Sequence, residues 1–144
     1  MGTRSNTLVI ETGHKPEIVL ANIYRQFDGY PSGHGLALAE FMLPIKVVNG
    51  ISDMKAKVAN GAGCFAAQLV AHLKTGPGNI YLEDPNQVEF DHDFTYKIRI
   101  DTYQPSKGIR IEVFEGGARV FKGAPGAFLD FCKAPEDDSY EVPL

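Results

Sequence analysis

Alternating hydrophobic and polar positions predict strands near both ends of the chain. Residues 7–11 and 18–25 are rich in β-branched side chains, and the segment between them contains Gly13 and Pro16. Two such runs joined by a short breaker segment are typical of a β-hairpin. Later in the chain, apolar side chains occupy every second position, at Phe94, Tyr96, Ile98 and Ile100. That period predicts an antiparallel strand with one buried face.

The same strand pattern continues towards the C-terminus. Residues 109–113 alternate in the same way, and Gly116 and Gly117 turn the chain into residues 118–121. A glycine pair between two strands favours a tight hairpin, so we expect a three-stranded meander. A short last helix is predicted to begin near Pro125, because proline is favoured in the first turn of a helix.

Two longer helices are predicted in the first half of the chain. Residues 34–43 are almost all apolar, which indicates a buried helix that ends at Pro44, with Ser32 as its N-cap. The second helix, residues 64–74, follows a glycine-rich turn and stops at Gly76.

These elements predict an α+β fold. We expect an antiparallel sheet, made of the N-terminal hairpin and the C-terminal meander, with two main helices on one face and a short C-terminal helix. A chain of 144 residues with 44% hydrophobic content suits one domain, placed at residues 1–134, and residues 135–144 form an acidic tail. The predicted core includes Leu36, Leu69, Ile98, Ile100 and Ile111.

Charge and composition exclude several classes of protein. The net charge of −4 argues against general nucleic-acid binding, which needs a basic face. The apolar runs are far shorter than the roughly 20 residues of a membrane span, and the first residues lack the apolar core of a signal peptide. Two cysteines define no disulfide framework. We therefore expect a cytoplasmic protein with free thiols and no membrane partner.

Three motifs carry a resemblance to a known family. Residues 2–5 read GTRS, residues 24–35 read YRQFDGYPSGHG, and residues 60–64 read NGAGC. With these motifs the chain resembles a family of small proteins encoded by bacteriophages and bacteria, over about residues 1–82. The resemblance implies a phage or prophage origin, hence the host cytoplasm, and a role against host defences by sequestering a signalling nucleotide or blocking a host protein. It implies no particular chemistry.

The loop at residues 24–35 is the first candidate site. It crowds aromatic, charged and glycine residues into one turn, and its predicted ligand contacts are Tyr24, Arg25, Asp28, Tyr30, Ser32 and His34. The alternative is a rigid turn in which Arg25 pairs with Asp28, since structural turns favour the same residue types. Both interpretations stay open at this point.

A second glycine-rich turn opens the second helix. Free N–H groups at a helix N-terminus attract anions, so Gly61, Gly63 and Cys64 are predicted to share one ligand with the loop. Lys74 or Lys46 would add charge. Neither turn matches a dinucleotide or phosphate-loop motif, and no cofactor is predicted. The leading hypothesis is a non-enzymatic protein that binds a small anionic or nucleotide-like ligand; in the alternative, the glycines only permit tight turns.

Other functions have weaker support in the residues. Cys64 lies in the first turn of a helix, where the pKa of a thiol falls, so a cysteine-dependent hydrolase with His92 as its base is an alternative. No histidine spacing matches a metal site. The polar face of the sheet or the acidic tail could instead bind a host protein as an inhibitor, and a homo-oligomer stays open.

Overall fold

A computed structural model describes residues 2–50, 57–87 and 92–134 of the chain. The strands, in chain order, are β1 Ser5–Glu11, β2 Ile18–Arg25, β3 Lys46–Val48, β4 Val58–Asn60, β5 Ile80–Glu83, β6 Phe94–Ile100, β7 Arg110–Glu115 and β8 Ala118–Gly123. The helices are α1 Leu36–Met42, preceded directly by a π-helical turn at Pro31–Gly35, then α2 Gly61–Leu73 and α3 Pro125–Lys133.

The predicted α+β class is confirmed. Six strands form a mostly antiparallel sheet in the order β5-β2-β1-β6-β7-β8, which contains the N-terminal hairpin and the C-terminal meander. Its two halves join where β1 and β6 pair in parallel. A separate two-stranded parallel ladder joins β3 to β4. The single domain stays a prediction, and the acidic tail at residues 135–144 lies outside the described residues.

The sheet has two distinct faces, which we call inner and outer. The inner face carries Val9, Ile23, Ile98 and Ile111, all fully buried against the helices. Because side chains alternate along a strand, Asn6, Tyr24 and Lys97 lie on the outer face. Of the predicted core residues, Leu69, Ile98, Ile100 and Ile111 are buried, while Leu36 is partly buried and packs against them.

The helix starts differ from the sequence prediction. Ser32 is exposed within the π-helical turn, and the residue before that turn is Tyr30, without a side-chain cap. The predicted N-cap role of Ser32 is therefore wrong. Helix α2 begins at Gly61, three residues before its predicted start, and no helix in the described ranges is long and apolar enough to cross a membrane.

Candidate functional site

Arg25 and His34 meet on the inner face of the sheet. The Arg25 Nη1 atom lies 3.3 Å from His34 Nδ1, and Arg25 Nε donates to the carbonyl oxygen of Phe27 at 2.5 Å. On the other side of its ring, His34 Nε2 lies 2.7 Å from Thr7 Oγ1. The guanidinium is thus held in place by two uncharged acceptors.

The hydrogen bonds also fix the protonation state of His34. A guanidinium only donates, so His34 Nδ1 must accept and the ring proton sits on Nε2, where it is donated to Thr7. The His34 side chain is fully buried. Burial, and after it the positive charge of Arg25, lower the pKa of His34 from 6.5 to about 3. At neutral pH the imidazole is therefore uncharged.

Arg25 forms no ion pair with an acidic side chain among the described residues. In the part of the chain that the structure describes, the ion pairs within 4.0 Å join other residues, and none includes Arg25. The Arg25–Asp28 pair of the rigid-turn interpretation does not form. Instead Asp28, whose φ is 60°, accepts a hydrogen bond from the Tyr30 hydroxyl at 3.2 Å.

The loop glycines are explained by close packing. A Cβ atom on Gly33 would lie 2.7 Å from the carbonyl oxygen of Asp28, and one on Gly29 would lie 2.8 Å from the Cβ of Ser5. Such contacts are far too short, so only glycine fits at these positions. The Ser5 hydroxyl beneath the loop is buried and has no hydrogen-bond partner among the described residues. Phe27, at the outside of the loop, is 48% exposed.

Tyr24 takes part in a different cluster, on the outer face. Its ring centroid lies 4.7 Å from that of His92 and 5.9 Å from that of Tyr81. Beside this row, Asn6 Nδ2 donates to Asn22 Oδ1 at 2.7 Å, and Asn6 Oδ1 accepts from His92 Nδ1. Asn6 and Asn22 are buried polar residues that the sequence analysis missed. For Asn22 the alternation of side chains in the predicted strand 18–25 already placed it on the same face as Tyr24, whereas Asn6 lies just before the predicted first strand, 7–11, and carried no such signal.

Gly61, Gly63 and Cys64 lie far from the loop. Ala62 N, in the first turn of α2, donates to Thr102 Oγ1, and that hydroxyl donates to Glu11 at the end of β1. Arg25 pairs with Ser5 at the beginning of β1. Ser5 and Glu11 lie at opposite ends of β1, six residues apart, which corresponds to roughly 20 Å along the strand. The N–H groups at the start of α2 and the loop at residues 24–35 are therefore too far apart to contact one small ligand, and the predicted shared site is wrong.

The other end of α2 lies near the loop. Lys74, directly after α2, donates from Nζ to the carbonyl oxygen of Ile80, and Ile80 pairs with Arg25. The predicted proximity of Lys74 to the loop therefore has support. At this end, however, α2 presents carbonyl groups, which do not favour an anion.

Cys64 and His92 do not form a catalytic pair. Cys64 lies on α2 and packs partly against the inner core, whereas His92 contacts Tyr24 and Asn6 on the outer face. The sheet separates the two side chains. Across residues 2–50, 57–87 and 92–134, no group of three or more histidine, cysteine or acidic side chains is arranged to hold a metal ion.

Comparisons of the chain with protein-family models, with curated proteins and with solved structures found no match. The functional argument therefore depends on the geometry of the loop. Its central feature is a fixed arginine that has no acidic partner within residues 2–50, 57–87 and 92–134.

Proposed function

We propose that the protein binds a small anionic or nucleotide-like ligand through Arg25, without catalysing a reaction. The observation that carries the proposal is the way Arg25 is held. Two neutral acceptors, Phe27 O and His34 Nδ1, position its guanidinium, and no carboxylate neutralises it within the described ranges. An arginine fixed in this way is already oriented for a phosphate or carboxylate group.

The surroundings of Arg25 support the same class of ligand. His34 stays uncharged at neutral pH, so the Arg25 guanidinium rests on a neutral, hydrogen-bonded support of fixed geometry. The exposed ring of Phe27 lies two residues from Arg25 and offers an apolar surface on which a planar base can stack. A phosphate next to a planar ring is the chemistry of a nucleotide. Sequestration of such a molecule would be a binding role, in agreement with the resemblance to phage proteins.

Removing the guanidinium tests the proposal. Losing a charge-assisted contact to a buried anion costs about 2 to 4 kcal/mol, so Arg25→Ala should weaken binding by about 30-fold to 1000-fold. Binding is measured by calorimetry against a panel of nucleotides and cyclic nucleotides. Native mass spectrometry of protein purified from cells shows whether a small molecule is retained.

Two variants serve as controls. Arg110→Ala removes an exposed arginine of the outer face and should leave binding unchanged. Asp28→Asn tests whether the loop is only structural, because this change keeps the shape of the side chain that accepts from Tyr30. The proposal fails if the parent protein binds nothing in the panel, retains no molecule from cells, and Arg25→Ala lowers the melting temperature as much as Asp28→Asn does.

A further inference from the structure

Basic side chains gather on the outer face of the last three strands. Arg99 lies opposite Arg110 where β6 pairs with β7, and Glu112 lies between Lys97 and Lys122 in the next row. Directly opposite residues in a sheet point to the same side, so these side chains share one surface. Two like charges opposite each other destabilise a sheet, so the stability of the fold does not explain the arginine pair. We call this surface the basic face, and its cations are Lys97, Arg99, Arg110, Arg119 and Lys122.

The acidic side chains in contact with the basic face do not balance its charge. Glu112 pairs with both Arg99 and Arg119, and Nε of Arg99 also lies 3.3 Å from Oε2 of Glu17. These two carboxylates meet five positive charges, although the chain as a whole has a net charge of −4. The surface therefore has an excess of positive charge. Within the described ranges, the members of the basic face that form no ion pair are Lys97, Arg110 and Lys122.

The basic face is accessible to a ligand. Arg110 and Lys122 are exposed residues, and together with Arg99 they line a cleft of about 370 Å³. The side chain of Arg119 is 49% exposed even though it contacts Glu112. Residues on one face lie about 7 Å apart along a strand and about 5 Å apart between neighbouring strands, so the cations are distributed over a surface. Such a surface suits a chain of anions better than one small anion.

We propose that the basic face binds the phosphate backbone of a single-stranded nucleic acid. A protein interface needs an apolar centre, whereas a nucleic-acid interface is more polar and more positively charged. The centre of the basic face is Glu112 between two arginines, whose planar forks match phosphate oxygens. A sheet offers a platform along which a flexible single strand can lie, while a duplex is read through its grooves. Contacts to phosphates alone make this binding independent of base sequence.

The salt dependence of binding tests the proposal on the unaltered chain. Labelled oligodeoxythymidine and oligouridine of equal length are titrated with the protein, and binding is followed by fluorescence anisotropy. Each phosphate contact to a single strand contributes about −0.7 to the slope of log K against log salt, so the three unpaired cations predict a slope of about −2. Binding should therefore weaken about 20-fold between 50 and 200 mM salt. Either oligonucleotide binding with this slope supports the proposal, and the tighter one shows whether the partner is DNA or RNA.

Two matched variants then locate the contact. Lys122→Ala should weaken oligonucleotide binding about five- to tenfold at 50 mM salt and reduce the slope by about 0.7. Lys133→Ala removes the same charge from the exposed end of α3 and should change neither value. Lys122→Ala should also leave the binding of mononucleotides unchanged, because the proposed Arg25 site lies on the inner face.

Three outcomes would overturn the proposal. The first is that neither oligonucleotide binds at 50 mM salt. The second is that Lys133→Ala weakens binding as much as Lys122→Ala does, since the effect would then reflect net charge alone. The third is that duplex DNA, or polyglutamate of equal charge, competes as well as the single strand, which would indicate a duplex or an acidic protein as the partner.

Discussion

Protonation of His34 should destabilise the folded protein at mildly acidic pH. The folded chain holds this imidazole uncharged because the ring is fully buried and next to Arg25, and both effects lower its pKa to about 3. In the unfolded chain the imidazole returns to its ordinary pKa, close to 6.5. Between these two values the unfolded state binds one proton more than the folded state. Stability contributed by His34 is therefore complete above pH 6.5 and is lost as the pH falls towards 3.

The size of the effect follows from the two pKa values. Each pH unit within this window removes about 1.4 kcal/mol from the free energy of unfolding. From pH 7.5 to pH 5 the loss due to His34 should reach about 2 kcal/mol. At pH 3 it would reach about 4 kcal/mol, but carboxyl groups also titrate there. The range from pH 5 to 7.5 therefore isolates the imidazole best.

The measurement is urea unfolding followed by circular dichroism at several pH values, since the chain contains no tryptophan. The matched variant is His34→Gln, whose amide can still donate to Thr7 but does not titrate. Between pH 7.5 and pH 5 the parent should lose about 2 kcal/mol more than the variant does. The reasoning would be refuted if the free energy of unfolding changed with pH in the same way in both proteins. It would also be refuted if the His34 imidazole titrated with a midpoint near pH 6.5 by NMR.

Two further predictions concern the core. Ile111 is fully buried on the inner face, so Ile111→Ala should lower the free energy of unfolding by about 2 to 5 kcal/mol in a urea titration. Unchanged stability would show that the side chain is not in the core. Burial raises the pKa of the Cys132 thiol to about 12, so iodoacetamide at pH 8 should modify the partly exposed Cys64 much faster. Mass spectrometry of the peptides gives both rates, and equal rates would contradict the buried position of Cys132.

The fold could be predicted where the sequence pattern is long and regular. β2 has the predicted bounds, and the apolar positions of β6 lie on the inner face as expected. β3, β4 and β5 were missed, because three or four residues are too few to show a period. The parallel pairing of β1 with β6 was also missed, since partners such as Ser5 and Phe94 lie far apart in the chain and give no local signal.

The candidate site was predicted in part. Arg25 and His34 do lie together, because the loop folds back over the end of β2. The sequence alone could have shown that Tyr24 and Arg25 lie on opposite faces of the sheet, since neighbouring residues of a strand point to opposite sides. The length of the second helix could also have shown that Gly61 and Lys74 do not belong to one ligand site, because thirteen residues of α2 span roughly 20 Å. The buried donor and acceptor pairs, such as His34 with Thr7, depend on tertiary packing and leave no pattern in the chain.

The parallel contact between β1 and β6 also determines when the sheet can close. β1 can pair with β2 as soon as the hairpin has left the ribosome, but its other edge waits until residues 94–100 are made. A nascent or truncated chain that ends before β6 would expose that edge, together with the apolar inner surface of Val9. Formation of the central ladder is a long-range event, which slows folding. Fragments of the first 90 residues should therefore associate or aggregate rather than fold independently.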